Sequence, residues 1–242
     1  MRRSLVRVLV TVVALAVILV AADLGARHLA LREVASRIQQ DQGLAERPVV
    51  TVAGGSFLLQ AARGRFEDVT LTLGGLPAGD LELSGVRVRL PQVHVPRGVL
   101  LGRPGTVDLD AGTLRADVDF ASLARQVDAG GLDVVLDRDG DDVRASTSVS
   151  LLGLDLGLAL TVEPRLEDGA VRMVPVAAAL GGQRIGLDRA RSLLSGVGLD
   201  QLDGWTVSLD EVPGEVEVQS LTVTDAGVDV RGALRATSLD VG

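Results

Sequence analysis

The stretch LGLDLGLALTV, residues 152–162, alternates aliphatic side chains with small or polar ones without a break. Because successive side chains of a β-strand point to opposite faces, this pattern predicts a half-buried strand. The second face carries Gly153 and Gly157, which permit curvature and close backbone approach. The first face is either ordinary core or the wall of an apolar cavity for acyl chains, and it consists of Leu152, Leu154, Leu156, Leu158, Leu160 and Val162.

The same period of two recurs along most of the chain after residue 49, in short segments separated by turn residues. Asp139-Gly140 is the strongest of these turn signals and predicts a β-hairpin. Gly85 shifts the alternation between Leu83 and Val86, as a β-bulge would. Short turns favour an antiparallel sheet, with strands predicted at residues 69–73, 81–90, 114–120, 132–136, 143–151, 170–176, 215–223 and 228–234.

Helical periodicity is confined to a few segments. Residues 23–42 repeat apolar side chains every three or four positions, and Gly43 is the expected stop. Residues 188–197 form a shorter amphipathic segment that Asp188 can cap. The expected fold class is α+β, with a long N-terminal helix followed by about ten antiparallel strands.

The N-terminus has the layout of an export segment. Arg2, Arg3 and Arg7 precede fifteen uncharged residues, 8–22, which end in Ala21-Ala22. This pattern fits a cleaved signal peptide or an N-terminal membrane anchor, and the arginines predict that the body lies outside the cytoplasm. We therefore expect residues 1–22 to be a signal peptide or anchor and residues 23–242 to be a single exported domain.

The amino-acid composition argues against several classes of ligand and partner. The chain has no cysteine and no lysine, its 24 basic residues are all arginine, and its net charge is −8. Without the three N-terminal arginines the charge is −11, which argues against nucleic acid as a partner and against broad electrostatic adhesion to anionic lipid. Aromatic residues make up only 2% of the chain, so stacking surfaces for sugars or bases are hard to build. The oligomeric state is left open.

The sequence contains no recognisable active site. His28 and His94 have no ligand-type residues at metal-binding spacing, and no nucleophile elbow or phosphate-binding glycine loop is present. The acidic run 137–142 resembles a calcium loop only superficially, because Asp142 occupies the position where an EF-hand needs glycine. We interpret it as a solvated hairpin turn and expect no catalytic residue, metal or cofactor.

The stretch VTVAGGSFLLQAARGRFEDV, residues 50–69, resembles the signature of the LmeA-like phospholipid-binding family of actinobacterial cell-envelope proteins. Ser56 stands where proline is usual in that family. The preceding helix and the later alternating strands extend the resemblance over about residues 23–241. The matching residues are Gly55, Phe57, Leu58, Leu59, Gln60, Gly64, Arg65 and Val69.

The resemblance implies a long helix wrapped by an elongated, curved antiparallel sheet, similar to tubular lipid-binding proteins. It also implies a non-enzymatic phospholipid-binding protein at the outer face of the plasma membrane, supporting lipid transport or the maintenance of mannolipids and the envelope. Phe57, Leu58, Leu59 and Phe66 would then lie at or near the cavity, and the leucines of 152–160 would form one wall.

Two alternatives stay open. The same sheet with a filled core would be a structural or protein-interaction module of the envelope. A hydrolase acting on envelope glycolipid would need carboxylates that converge in space, which the sequence does not indicate.

Overall fold

The structure is a computed structural model that describes residues 2–78, 81–126, 133–151, 154–167, 170–195, 205–207 and 216–241. Its helices are α1 Arg2–Asp41, α2 Phe57–Arg63, α3 Arg97–Leu100, α4 Phe120–Gln126 and α5 Leu187–Ser195. Its strands are β1 Val49–Val52, β2 Arg65–Thr72, β3 Gly75–Ala78, β4 Leu81–His94, β5 Gly105–Leu109, β6 Gly112–Asp119, β7 Val135–Asp139, β8 Asp142–Leu151, β9 Leu154–Glu167, β10 Ala170–Leu180, β11 Gln183–Ile185, β12 Trp205–Val207, β13 Val216–Val223, β14 Gly227–Leu234 and β15 Thr237–Val241.

These strands form one sheet of nine strands and one of six, and within the described residues neither sheet closes into a barrel. The pairings of β1 with β2, β8 with β9, β9 with β10 and β13 with β14 are antiparallel, as the short turns between alternating segments predict. The predicted fold class, an N-terminal helix followed by extensive antiparallel sheets, is therefore confirmed.

Helix α1 unites the apolar segment 8–22 and the predicted helix 23–42 in one helix of 40 residues. It ends at the predicted stop, where Leu44 N–H donates to Gln39 O at 3.0 Å and Gly43 N–H donates to Gln40 O at 3.4 Å. These bonds satisfy carbonyls that the end of a helix otherwise leaves unpaired.

The chain forms two compact units that interleave in sequence. The first comprises Met1–Thr72, Val88–Gly112 and Ala236–Gly242, and the second comprises Leu73–Arg87 and Thr113–Arg235. Each unit is thus assembled from separate segments rather than from one continuous half of the chain. The division into residues 1–22 and a single domain, 23–242, stays a prediction.

In the first unit, β1 pairs with β2, β5 pairs with β4 at Val93, and the C-terminal strand β15 pairs with β5 along its whole length. Strand β15 was not predicted, because its five residues, all of them exposed, include only two apolar side chains, Leu239 and Val241. The hydrophobic core of this unit lies between the strands and α1, which contributes Ala26, Ala30 and Leu31.

In the second unit, the six-stranded sheet has the order β11-β10-β9-β8-β7, with β12 also paired to β10. The predicted hairpin is confirmed: β7 and β8 pair up to Asp139 and Asp142, and Gly140, with φ 72°, lies in the tight turn between them. Strand β9 occupies the centre of this sheet, so its aliphatic face has neighbours on both sides.

Gly85 has φ 57° within β4, in the left-handed region that favours glycine. Leu83 before it and Val86 after it are both buried, although they are three residues apart and a regular strand would point them to opposite faces. The predicted change of register at Gly85 is therefore confirmed.

Candidate lipid-contact residues

The first candidate region is α2, which carries three of the four residues predicted from the 50–69 signature. The Ser56 hydroxyl caps this helix by accepting the Leu59 N–H at 3.2 Å, and it donates to Asp23 Oδ1 at 2.7 Å. The Asp23 carboxylate also accepts the N–H groups of Phe57 at 3.0 Å and Leu58 at 2.7 Å. A side chain of α1 therefore fixes the first turn of α2.

These hydrogen bonds favour the ionised form of the Asp23 carboxyl group. The pKa of its carboxyl lies below the ordinary value of 3.8, chiefly because the Leu58 N–H and the Ser56 hydroxyl stabilise the ionised form. The Phe57 N–H and the nearby Arg27 guanidinium act in the same direction, while partial removal from water opposes them. Arg27 itself donates to the Val52 carbonyl and so ties α1 to β1.

Phe57 and Phe66 are both buried, and their rings pack with centroids 5.5 Å apart at an angle of 41°. Val52 and Val93 complete the buried cluster. An inclined aromatic pair of this kind adds to the stabilisation from burial alone. The structure thus brings these two predicted residues together, as part of the core beneath α1.

Other residues of the signature have local structural roles. The buried Gln60 side chain donates to Ala53 O at 3.1 Å and accepts the Glu67 N–H at 2.9 Å, so it joins the segments on either side of α2. A Cβ on Gly64 would lie 2.7 Å from the Val95 carbonyl oxygen, which explains why glycine ends this helix.

Leu58 and Leu59 do not join Phe57 and Phe66 in the core. Their exposed fractions are 43% and 49%, so both leucines face outward from α2. Their contribution to a lipid site, like that of the buried phenylalanines, stays a prediction.

The second candidate region is the aliphatic face of β9. Leu152 lies outside the described residues, and Leu154 begins the strand in register with Leu151 of β8. Leu158 is buried, while Leu156 and Leu160 are partly buried. Across the sheet, Leu160 lies between Ala145 of β8 and Ala178 of β10, so small side chains flank this leucine.

Helix α5 covers part of this face. Ala190 of α5 is fully buried and packs with Leu158 and Ala178. Partly buried aliphatic residues surround this contact: Leu160, Leu180, Ile185 and Leu187. The sequence predicted the helix from its amphipathic pattern but not its position over the leucine row, because that contact joins segments about 30 residues apart.

The buried polar side chains of the described residues are satisfied within the protein. Throughout the described part of the chain, each buried side-chain N or O atom has a hydrogen-bond partner. No group of three or more His, Cys, Asp or Glu residues within these same ranges is spaced to hold a metal ion. His94 Nε2 accepts from Arg65 Nε at 3.2 Å on the surface.

The acidic run 137–142 is a charged hairpin end. Arg144 donates to Asp139 at 2.8 Å and lowers the pKa of that carboxyl. Asp142, across the turn, has a raised pKa, mainly because of its removal from water and then because of the charges of Glu163 and Asp139. These residues thus form the turn and the adjoining strand ends of a β-hairpin, as the sequence predicted.

These observations describe an α+β protein with open antiparallel sheets, largely aliphatic cores and, among the described residues, no metal-binding cluster. The family model for LmeA-like phospholipid-binding proteins matches residues 21–233, and the chain belongs to this family. The family is characterised by phospholipid binding and is not a known class of enzymes, so membership supports lipid binding by this chain. Searches of curated proteins and of solved structures gave no match.

The part of α1 from Val13 to Asp41 is long and apolar enough to cross a membrane, and none of its most apolar window is buried in the protein. A signal sequence near an N-terminus meets the same criterion. The apolar N-terminal helix is therefore suited to either role.

Proposed function

We propose that this protein is a non-enzymatic phospholipid-binding protein of the bacterial cell envelope. In this proposal the chain is exported, lies at the outer face of the plasma membrane, and serves lipid transport or the maintenance of mannolipids and the envelope. The observation that carries the proposal is the match of a phospholipid-binding family to residues 21–233.

The aliphatic face of β9 is the proposed contact for acyl chains. Leu156 and Leu160 keep some exposure beside the buried Leu158, so a chain could begin to pack at these partly open positions. Full contact with Leu158 requires α5 to move, because Ala190 packs directly on that region. The proposal therefore includes a displacement of α5 when lipid binds.

Affinity in such a site would come from buried methylene groups, at about 0.8 kcal/mol each. Eight methylenes would contribute roughly 6 kcal/mol before the cost of ordering the chain and moving the helix. Because the described buried polar atoms are already hydrogen-bonded, headgroup recognition would depend on groups near the surface. We expect affinity to depend on acyl length more than on headgroup.

The test is native mass spectrometry of the full chain, purified in a mild detergent and released from it in the gas phase. We expect an added mass of one or two phospholipids that disappears on denaturation and is recovered by lipid extraction. A chain that stays free of lipid after incubation with phospholipid vesicles would contradict the proposal.

A second candidate function follows from the packing. Leu158 and Ala190 are buried against each other, and Phe57 and Phe66 form a closed aromatic pair, which suits a structural or protein-interaction module with a filled core. That alternative predicts no bound lipid and no movement of α5, and affinity capture from envelope extracts would then identify its protein partner.

A further inference from the structure

Two short helices of the first unit expose large apolar side chains. Helix α2 exposes Leu58 and Leu59, and α3 exposes Leu100 and its capping residue Leu101, whose exposed fraction is 76%. The helices are in contact, because Arg97 Nε donates to Ala62 O at 2.9 Å and Val95 N–H donates to Gly64 O at 2.9 Å. We call the exposed side chains of this pair of helices and of its flanking residues, within 57–66 and 93–107, the α2–α3 surface.

The two segments that form the α2–α3 surface are basic, although the chain as a whole is acidic. Residues 57–66 and 93–107 contain four arginines and no aspartate or glutamate, whereas the whole chain has a net charge of −8. Within the described residues, none of these arginines forms a salt bridge with a carboxylate. The four are Arg63, Arg65, Arg97 and Arg103.

This surface is attached to the end of the apolar segment of α1. Asp23 is the first residue after segment 8–22, and its carboxylate lies 2.7 Å from the Leu58 nitrogen. Leu24 of α1, the next residue, is also exposed. The exposed apolar side of α1 therefore reaches the first turn of α2.

We propose that the α2–α3 surface is a membrane-contact surface that takes the headgroup region of a bilayer containing anionic phospholipids. If segment 8–22 crosses the bilayer, Asp23 lies at its boundary, and the hydrogen bonds from α2 hold Leu58 and Leu59 at the same depth. The leucines then enter the interface, and the arginines, which have no carboxylate partner among the described residues, face lipid phosphates. This inference concerns the outside of the protein and does not depend on a lipid bound in its interior.

The chain has no cysteine, so a single introduced cysteine carries a probe at a unique site. The test uses the full chain with Leu59→Cys or Leu101→Cys, labelled with an environment-sensitive fluorophore and reconstituted in phosphatidylglycerol–phosphatidylethanolamine vesicles. The matched control is Val49→Cys, an exposed apolar position of the same unit. Val49 is the first residue of β1 and lies outside the α2–α3 surface, three residues before Val52, whose carbonyl accepts a hydrogen bond from Arg27 of α1.

We expect a blue-shifted emission and quenching by headgroup-proximal spin-labelled lipid at positions 59 and 101, but not at position 49. Replacing phosphatidylglycerol with phosphatidylcholine should reduce the quenching at position 101, because the arginines lose their anionic partners. Emission at 59 and 101 that matches position 49 in anionic vesicles would overturn the proposal. Equal quenching in neutral vesicles would overturn the role of the arginines.

Discussion

The backbone N–H of Leu58 donates a 2.7 Å hydrogen bond to the carboxylate of Asp23, 35 residues earlier in the chain. This bond, with those from Ser56 and Phe57, joins α1, just after its apolar segment, to α2, which lies within the family signature. The arrangement makes the orientation of α2 depend on one carboxylate of α1.

We expect Asp23→Asn to lower the thermal stability of the first unit at neutral pH, because three donors lose a charged acceptor. The pKa of Asp23 is lowered in the folded state, so its stabilising contribution is complete above the ordinary value of 3.8. This contribution is lost as the pH falls through the lower pKa that Asp23 has in the folded protein. Unfolding temperatures of both chains, measured by circular dichroism against pH, should therefore converge in acid.

Glu33→Gln provides the control for this prediction. Glu33 pairs with Arg37 on the exposed surface of α1 at 3.1 Å, an arrangement of low energetic value. We expect little change in unfolding temperature. An Asp23→Asn chain as stable as the wild type at neutral pH would contradict the importance of the Asp23 bonds.

Ionisation of two carboxyl groups at one hairpin end should change the stability of the fold in opposite directions. Burial and neighbouring negative charges raise the pKa of Asp142, so its ionisation destabilises the fold as the pH rises through that pKa. Arg144 lowers the pKa of Asp139, whose contribution is present above 3.8 and is lost as the pH falls. We expect Asp142→Asn to raise and Asp139→Asn to lower the unfolding temperature at neutral pH.

Both differences should shrink in acid, where the wild-type carboxyls are protonated. Calorimetric unfolding of the two variants at neutral and acidic pH tests this pair of signs. A shift in the same direction for both variants at neutral pH would show that their environments have been assigned incorrectly.

Removal of the Phe66 ring should affect stability strongly. Phe66 is buried against Phe57, so Phe66→Ala leaves a cavity and should cost about 3–5 kcal/mol of unfolding free energy. Phe66→Leu should cost less because it keeps most of the apolar volume. Leu239→Ala, at an exposed position of the same unit, should stay within about 0.5 kcal/mol in the same denaturant titrations.

The elements that the sequence predicted well are those whose pattern is local. The alternation of residues 152–162 follows from the two-residue repeat of side-chain direction in a strand. Strand β9 includes that stretch from Leu154 onward. The stop at Gly43 and the hairpin at Gly140 likewise depend on the conformations available to single residues.

The sequence did not predict α2 or the exposure of Leu58. With seven residues, α2 is too short to show helical periodicity, and it depends on Asp23, which is distant in the chain. Ser56 before an apolar run was the available signal, because serine is a preferred N-cap. Whether a leucine on such a helix faces the core or the solvent depends on which side packs against α1, which no local pattern specifies.

Gly227 should not tolerate a side chain. A Cβ at this position would overlap the carbonyl oxygen of Val118 and lie 2.8 Å from Asp119 Cα, and both neighbours are backbone atoms of a paired strand. We expect Gly227→Ala to cost about 3 kcal/mol, near the upper end of the range for overpacking. Chemical denaturation measures this loss.

Gly157→Ala is the matched control, because a Cβ on this strand glycine meets nothing within 4 Å. It should be neutral or stabilise the protein by up to about 1 kcal/mol through a less flexible unfolded chain. Equal costs for the two variants would contradict the close approach at Gly227.

Substitutions on the two faces of β9 should differ in their effect on phospholipid binding. Leu160 lies on the aliphatic face beside α5, whereas its neighbour Ala159 points to the other face and is also partly buried. If acyl chains pack on the leucine row, Leu160→Asn removes about 1.5–3 kcal/mol of apolar contact. Phospholipid affinity should then fall about tenfold or more.

Native mass spectrometry with a lipid titration measures this loss, and circular dichroism verifies that each variant is folded. Ala159→Asn should retain lipid as the wild type does, and Leu156→Asn, on the same face as Leu160, should weaken binding if Leu160→Asn proves unstable. A folded Leu160→Asn or Leu156→Asn chain with undiminished lipid affinity would locate the acyl contact away from β9. The signature region around Phe57 and Phe66 would then become the principal candidate, because it contains the remaining predicted contacts.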